Sequence, residues 1–197
     1  DQGMLICTAE ILPIAHPTAE TGPPTPDVVE LARVTDRGIR ESKMLDMKEL
    51  VLEKNKSVIG VFCDNAVTDH DGNLFDVCSY ATTAAINSCK IPKYEMKDDA
   101  PVKIEDEFIE PPISTLPVSV TMIRIGDYIL VDPNMDEWSC LDARITITTN
   151  SDGNVVALQK GGSDGFTYEQ LIKCTEISIA VGTKIREIIK DASKASE

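Results

Sequence analysis

With 197 residues, 42% of them hydrophobic, the chain is long enough to bury the core of an ordinary domain. A formal net charge of −14 excludes a general nucleic-acid binder, because contact with a polyanion then has to be local or shared with a more basic partner. No apolar run approaches the roughly 18 residues of a membrane span and no leader pattern is visible, while six cysteines scattered without a CxxC point to free thiols in a reducing cytoplasm.

Residues 3–9 have the composition of a strand, 11–15 continue the apolar run, and 16–26 (HPTAETGPPTP) form a proline- and glycine-rich loop. The most informative stretch follows at 26–43, PDVVELARVTDRGIRESK. Thr25 can cap a helix here, Pro26 suits its first position, and Asp27 and Glu30 suit its positive end. At about 3.6 residues per turn, Arg33, Arg37 and Arg40 share one face. Val28, Leu31, Ala32, Thr35 and Ile39 form a second, mostly apolar face. Three side-by-side guanidiniums repel and need an offset. One source is local pairing, Asp36 with Arg40 and Arg37 with Glu41, at about 0.2–0.5 kcal/mol each. The other is an anionic ligand, since guanidinium forks match phosphate oxygens. Gly38, costly inside a helix, points to close approach of another backbone.

Asp46 is expected to cap a short helical turn through Met47 and Leu50, and residues 57–68 (SVIGVFCDNAVT) read as a strand. Asp71-Gly72-Asn73 is a turn, with Asp71 or Asn73 capping a helix over 74–90 whose small residues suit close packing on a sheet. Residues 92–117, with five prolines and the acidic KDD and EDE runs, make a surface excursion with a short strand near 102–104. From Val118 the chain turns β: one hairpin folds about Gly126-Asp127 and another about residues 151–154. Residues 166–192 close the chain as a helix with Leu171, Cys174, Ser178, Val181, Ile185 and Ile188 on its inner stripe. The order predicts an α+β class rather than a doubly wound parallel sheet.

Other candidate chemistries fail on spacing. Asp69-x-Asp71-x-Asn73 opens like a calcium loop, but Leu74 stands at its sixth position and Tyr80 at its twelfth. Gly161-Gly162-Ser163-Asp164-Gly165 matches GxSxG, yet the two histidines, His16 and His70, both precede it, against the chain order of that hydrolase class. Neither histidine is paired with a cysteine in a metal-ligand spacing.

Several stretches together carry further: AEILPIAHPTAETGPP, then RVTDRGIRESKMLD running on through SVIGVFCDNAVTDHDGNLFDVCSYATTAAI, then VDPNMDEWSCLDA with VVALQKGG. Their phrases RVxDRxxRESKxxD and VDPxxDExxxxDA resemble the ribonuclease PH family, and within it the non-catalytic ring subunit of the archaeal exosome. The likeness covers nearly the whole chain. It implies a ribonuclease PH-like fold (the ribosomal protein S5 domain 2-like class) of two pseudo-repeated β-α halves. Here residues 1–90 would be the rest of the first half, 91–117 the excursion and 118–197 the second half, with roughly the opening quarter missing. That fits a first strand entered without a starting Met.

The resemblance also implies partners. Such a subunit alternates with a catalytic ribonuclease PH-like paralogue in a ring of three heterodimers, topped by RNA-binding cap proteins, in the cytoplasm, without membrane or DNA. The complex trims single-stranded RNA from its 3′ end by phosphorolysis, using inorganic phosphate and Mg2+. Arg33 and Arg37 match arginines that reach the RNA backbone at the partner's active site. Arg40 matches too, or holds the subunit interface. Catalytic members carry an acid and a small, hydroxyl-rich loop with Arg after the strand equivalent to 58–67. Here Asp71 lies near that acid, but Leu74, Phe75 and Asp76 follow. The expectation is therefore no catalytic residue and no metal of its own. The alternative is a self-sufficient phosphorolytic or metal-dependent nuclease using Asp64, Asp69 and Asp71.

Overall fold

A computed structural model describes residues 1–98 and 100–194; Asp99, of the KDD run, lies outside the described residues. Along the chain come β1 (Met4–Ile11), α1 (Pro26–Glu41), β2 (Val51–Glu53), β3 (Ser57–Val58), β4 (Gly60–Val67) and α2 (Leu74–Ser88). A hairpin of β5 (Ile91–Lys97) and β6 (Ala100–Ile109) follows, then β7 (Val118–Ile125), β8 (Tyr128–Val131), α3 (Met135–Ser139), β9 (Ala143–Thr149), β10 (Val155–Gly162) and α4 (Tyr168–Lys194).

Two sheets flank α1. The smaller pairs β1 with β4 in parallel, from Met4 opposite Gly60 to Ile11 opposite Val67. The larger is antiparallel, in the order β10-β9-β7-β8. Its two inner strands are buried on both faces, and the residues alternate accordingly. Val118, Val120, Met122, Ile145 and Ile147 pack against Cys174 and Ile189 of α4, burying an apolar face whose withdrawal from water drives the association. The other face is a ladder of hydroxyls turned toward α1 and α2. Ser119 meets Thr148 at 2.8 Å and Thr121 meets Thr146 at 2.9 Å, so these buried oxygens satisfy one another.

The strand β8 covers only the far end of β7, pairing Tyr128–Val131 with residues 122–125. Where no strand covers β7, α2 supplies the missing partners from side chains spaced along one helical face. Ser79 Oγ accepts from the Ser119 N–H (3.2 Å), Asp76 Oδ2 accepts from the Thr121 N–H (2.9 Å), and the Thr83 hydroxyl donates to the Pro117 carbonyl (3.0 Å). Unpaired, each of those buried backbone groups would cost about 1–3 kcal/mol. Polar residues on α2 therefore act as a surrogate strand.

Several expected elements need correction. The stretch 46–50 is a turn in which Asp46 Oδ1 accepts from the Lys48 N–H (2.9 Å), with no helix. The excursion carries the full β5–β6 hairpin rather than a short strand, because residues 100–109 find a partner across the turn at Asp98. Asn73 does stand at the N-cap of α2, but in the left-handed region (φ 43°) and without capping through its side chain, which is drawn to Asp76 and Asp132 instead. Ile188 is exposed and Ile189 is buried, so the inner stripe of α4 ends one residue later than its spacing suggests. Gly38 is buried under side chains, not backbone: a Cβ there would sit 3.4 Å from Thr148 Cγ2.

Candidate functional site

The local sequence of α1 folds as its signals require. Thr25 Oγ1 accepts from the Val28 N–H (3.4 Å), Pro26 occupies the first turn, and Arg40 lies in the last. Val28, Leu31, Val34, Thr35 and Ile39 are buried, while Ala32 is half-buried. This anchoring leaves Arg33, Arg37 and Arg40 along one wall of a groove of about 490 Å3, with Ile6, Cys7 and Thr8 of β1 on the opposite wall.

The three arginines are held differently. Arg40 is neutralised: its Nε and Nη2 donate to both oxygens of Asp36 (2.9 and 2.7 Å), and Nη2 also donates to the Leu5 carbonyl (2.8 Å). The second local pair does not form. Arg37 turns away from Glu41, and its Nη1 donates to Oε1 of Gln159 on β10 (3.2 Å). Arg33 makes no hydrogen bond or ion pair among the described residues. Two guanidiniums on this face therefore keep their full charge, in a chain that is otherwise acidic.

Behind Arg37 lies a chain of contacts invisible in the local sequence. Gln159 Nε2 donates to Glu30 Oε1 (2.9 Å), and the same oxygen receives Nη2 of the buried Arg144 (2.6 Å). The Arg144 guanidinium carbon stands 4.1 Å from the Phe75 ring centroid and 5.4 Å from that of Trp138, and the two rings are stacked. Gly161 lies directly across the ladder from Arg144, where a Cβ would sit 2.5 Å from Arg144 Nη2. Gln159 falls in the VVALQKGG stretch, but nothing local links it to Glu30 or Arg144. The three meet across as many as 129 positions of sequence, so only the fold could bring them together.

Of the acids of the alternative reading, Asp64 and Asp69 line one groove and Asp71 is not part of its lining. Asp64 accepts from the Thr8 hydroxyl (2.6 Å) and Asp69 from the His70 N–H (3.0 Å), while Asp71 is exposed. Among the described residues, no three His, Cys, Asp or Glu side chains are placed to hold a metal ion. Leu74 and Phe75 are buried in a core cluster with Leu31, Val34 and Cys78, which leaves them unable to cradle a phosphate. Asp76 is equally buried. Its carboxyl is pushed up to about 6 by burial, against the lowering effect of its hydrogen bonds from Thr121 and Asn73.

His16 and His70 meet edge to face at 6.2 Å beside the 16–26 loop; burial and the neighbouring ring push His70 below its usual range. Ser163 of the GxSxG stretch lies in the exposed connector before α4, its hydroxyl reaching only the Asp142 carbonyl (3.5 Å). All six cysteines are free, and no described helix is long and apolar enough to cross a membrane.

Comparison with known proteins covers most of this frame. Residues 1–92 match the family model described as 3′ exoribonuclease family, domain 1, and residues 115–181 match domain 2 of the same family. The exosome complex component Rrp42 of Thermococcus gammatolerans is 41% identical over 193 residues, 98% of this chain and 71% of that protein. Its counterpart from Thermoplasma acidophilum is 43% identical over 187 residues, 95% of this chain and 69% of that protein. Among solved structures, a chain of the Archaeoglobus fulgidus exosome with RNA bound to the active site superposes with a TM-score of 0.85 at 42% identity, over 95% of this chain and 71% of that one. A chain of an archaeal exosome core gives 0.81 at 39%, over 96% and 69%.

Proposed function

The chain belongs to the 3′ exoribonuclease family, the ribonuclease PH family, and on that premise we propose that it is a non-catalytic ring subunit of an archaeal exosome. In this reading it completes a phosphorolytic ring with a catalytic paralogue, under RNA-binding cap proteins in the cytoplasm. Residues 1–90 and 118–197 are its two β-α halves. The paralogue supplies the phosphate site and Mg2+, and this chain supplies part of the path of single-stranded RNA.

One observation carries the reading: Arg33 and Arg37 keep uncompensated guanidiniums on an anchored helix, while the segment that would bind phosphate in a catalytic member, Leu74 to Asp76, is core. Guanidiniums aimed at a backbone grip RNA through its phosphates whatever its sequence, and so position a strand without reading it. Arg40 is the weaker member, since Asp36 already neutralises it.

The test uses the ring reconstituted from full-length protein and its catalytic paralogue. Arg33→Ala with Arg37→Ala should weaken binding of single-stranded RNA and flatten its salt dependence by about 0.7 for each phosphate no longer neutralised. Asp64→Asn, Asp69→Asn and Asp71→Asn should leave diphosphate release by the ring intact. Unchanged affinity and slope in the arginine variant would overturn the clamp. Loss of turnover in the acid variants, with assembly intact, would favour the self-sufficient nuclease, which release of diphosphate by this chain without the paralogue would then establish.

A further inference from the structure

We infer that Gln159 is a positioning residue for the RNA path: locked by the Glu30–Arg144 pair, it aims Arg37 into the groove while leaving its charge free. This rests on the reading of Arg37 as a phosphate contact.

The orientation of the Gln159 amide is dictated by its neighbours. Arg144 donates to Glu30 Oε1, and the charge-assisted contact at 2.6 Å fixes that carboxylate as an acceptor. Gln159 must then present its NH2 group to Glu30 (2.9 Å), which leaves its carbonyl oxygen toward Arg37 Nη1 (3.2 Å). A flipped amide would set oxygen against carboxylate on one side and NH2 against guanidinium on the other. Arg144 is itself fixed, buried over the Phe75 ring and passing across Gly161. The order imposed from the interior outward is thus Arg144, Glu30, Gln159, Arg37.

A neutral acceptor suits this task better than a carboxylate. Arg40 shows the contrast, since both its fork and its charge are consumed by Asp36. Arg37 gives up one N–H to an amide oxygen. Its other donors and its full positive charge stay available to phosphate. A flexible side chain held in advance also loses less freedom when RNA arrives.

The experiment measures binding of a fluorescein-labelled single-stranded oligoadenylate to the reconstituted ring across a salt series, without phosphate so that the RNA is not consumed. Gln159→Met keeps the side chain's length and removes both hydrogen bonds. It should weaken binding about three- to tenfold, the worth of one positioned hydrogen bond, with an unchanged salt slope because no charge is removed. In an Arg37→Ala ring, the same Gln159→Met change should have no further effect. Gln159→Glu should instead lower the slope, by neutralising Arg37. Failure of the two readings would look different. An Arg37→Ala ring that binds normally removes the clamp itself. An Arg37→Ala ring that binds weakly, with Gln159→Met silent alone or additive upon it, overturns only the positioning role. Melting of each ring is followed in parallel, and a Gln159→Met ring that fails to assemble is replaced by Gln159→Leu in the same cycle.

Discussion

Thr121 donates twice to Asp76, from its backbone N–H at 2.9 Å and from its hydroxyl at 2.7 Å, so that a carboxylate on α2 stands where a neighbouring strand would have placed a carbonyl. The arrangement has a cost. Burial lifts this carboxyl to about 6 from an ordinary 3.8, with Asp132 adding repulsion. The folded chain therefore holds a proton that the unfolded chain gives up. The stability linked to it is fully present below pH 4 or so and is lost as pH rises through about 6, at about 1.36 kcal/mol per pH unit and about 3 kcal/mol in all. Asp76→Asn keeps the shape. Its amide oxygen can accept from Thr121 N–H and Asn73, and its NH2 can donate to the Thr121 hydroxyl, which passes its own proton to Thr146. The variant should melt above the parent near neutral pH, and the gap should close toward about pH 4.5. A gap independent of pH would show that Asp76 is not the titrating group.

Phe75 offers its ring to Arg144 from the first turn of α2. Phe75→Leu preserves most of the apolar volume and removes the π face and the stack on Trp138. A loss of about 1–2 kcal/mol is expected from urea unfolding, the worth of a largely desolvated cation–π contact. Phe75→Arg should not restore a phosphate site. It would place a second guanidinium against Arg144 inside the core, and it should fail to fold or assemble rather than gain activity.

What the sequence makes legible follows from range. The cap, the first-turn proline and the arginine face of α1 depend on neighbours within a few positions, and they stand where local rules put them. The strands β7 and β9 are equally clear, because β-branched alternation persists through them. Alternation alone describes a sheet with one wet face. Here the hydroxyl face is buried, and nothing local could show it, since α1 and α2 lie tens of residues away in sequence. The same reason hides Glu30, Gln159 and Arg144. An Arg37–Glu41 pairing fails because a helix-surface rule ignores a better acceptor on another element. The family phrases reach the fold, whereas the burial of Leu74 and Phe75 in one core cluster shows only in the folded chain.

Gly72 meets the backbone of Pro133 and Asn134 before α3. It adopts φ +108°, and a Cβ there would lie 2.8 Å from the Asn134 carbonyl carbon and closer still to the Pro133 oxygen. Neither obstacle is a side chain that could swing aside. Gly72→Ala should cost at least about 2 kcal/mol, combining a strained left-handed backbone with displacement of the segment before α3. Gly126→Ala is the control: also at positive φ, with nothing within 4 Å of its Cβ, it should show the backbone strain alone. Equal losses in chemical denaturation would mean that the Pro133–Asn134 contact adds nothing.

Arg40 separates structural from ligand-facing charge on the same helix. Its fork on Asp36 lies within α1, and its bond to the Leu5 carbonyl ties the end of α1 to β1. The Arg40 side chain is 49% exposed, so solvent screens the ion pair and the loss in Arg40→Ala should be modest, about 0.5–1 kcal/mol. Its effect on RNA should be smaller still. Asp36 cancels most of its field, whereas Arg33 has no such partner among the described residues. The expected order of affinity loss is therefore Arg33→Ala and Arg37→Ala together, then either alone, then Arg40→Ala, and the order of destabilisation should be led by Arg40. Asp36→Asn sharpens the test. Freed of its carboxylate, Arg40 should gain phosphate affinity and steepen the salt slope, while its bond to the Leu5 carbonyl remains. If Asp36→Asn leaves the slope unchanged, Arg40 points away from the RNA path and its charge serves the fold alone.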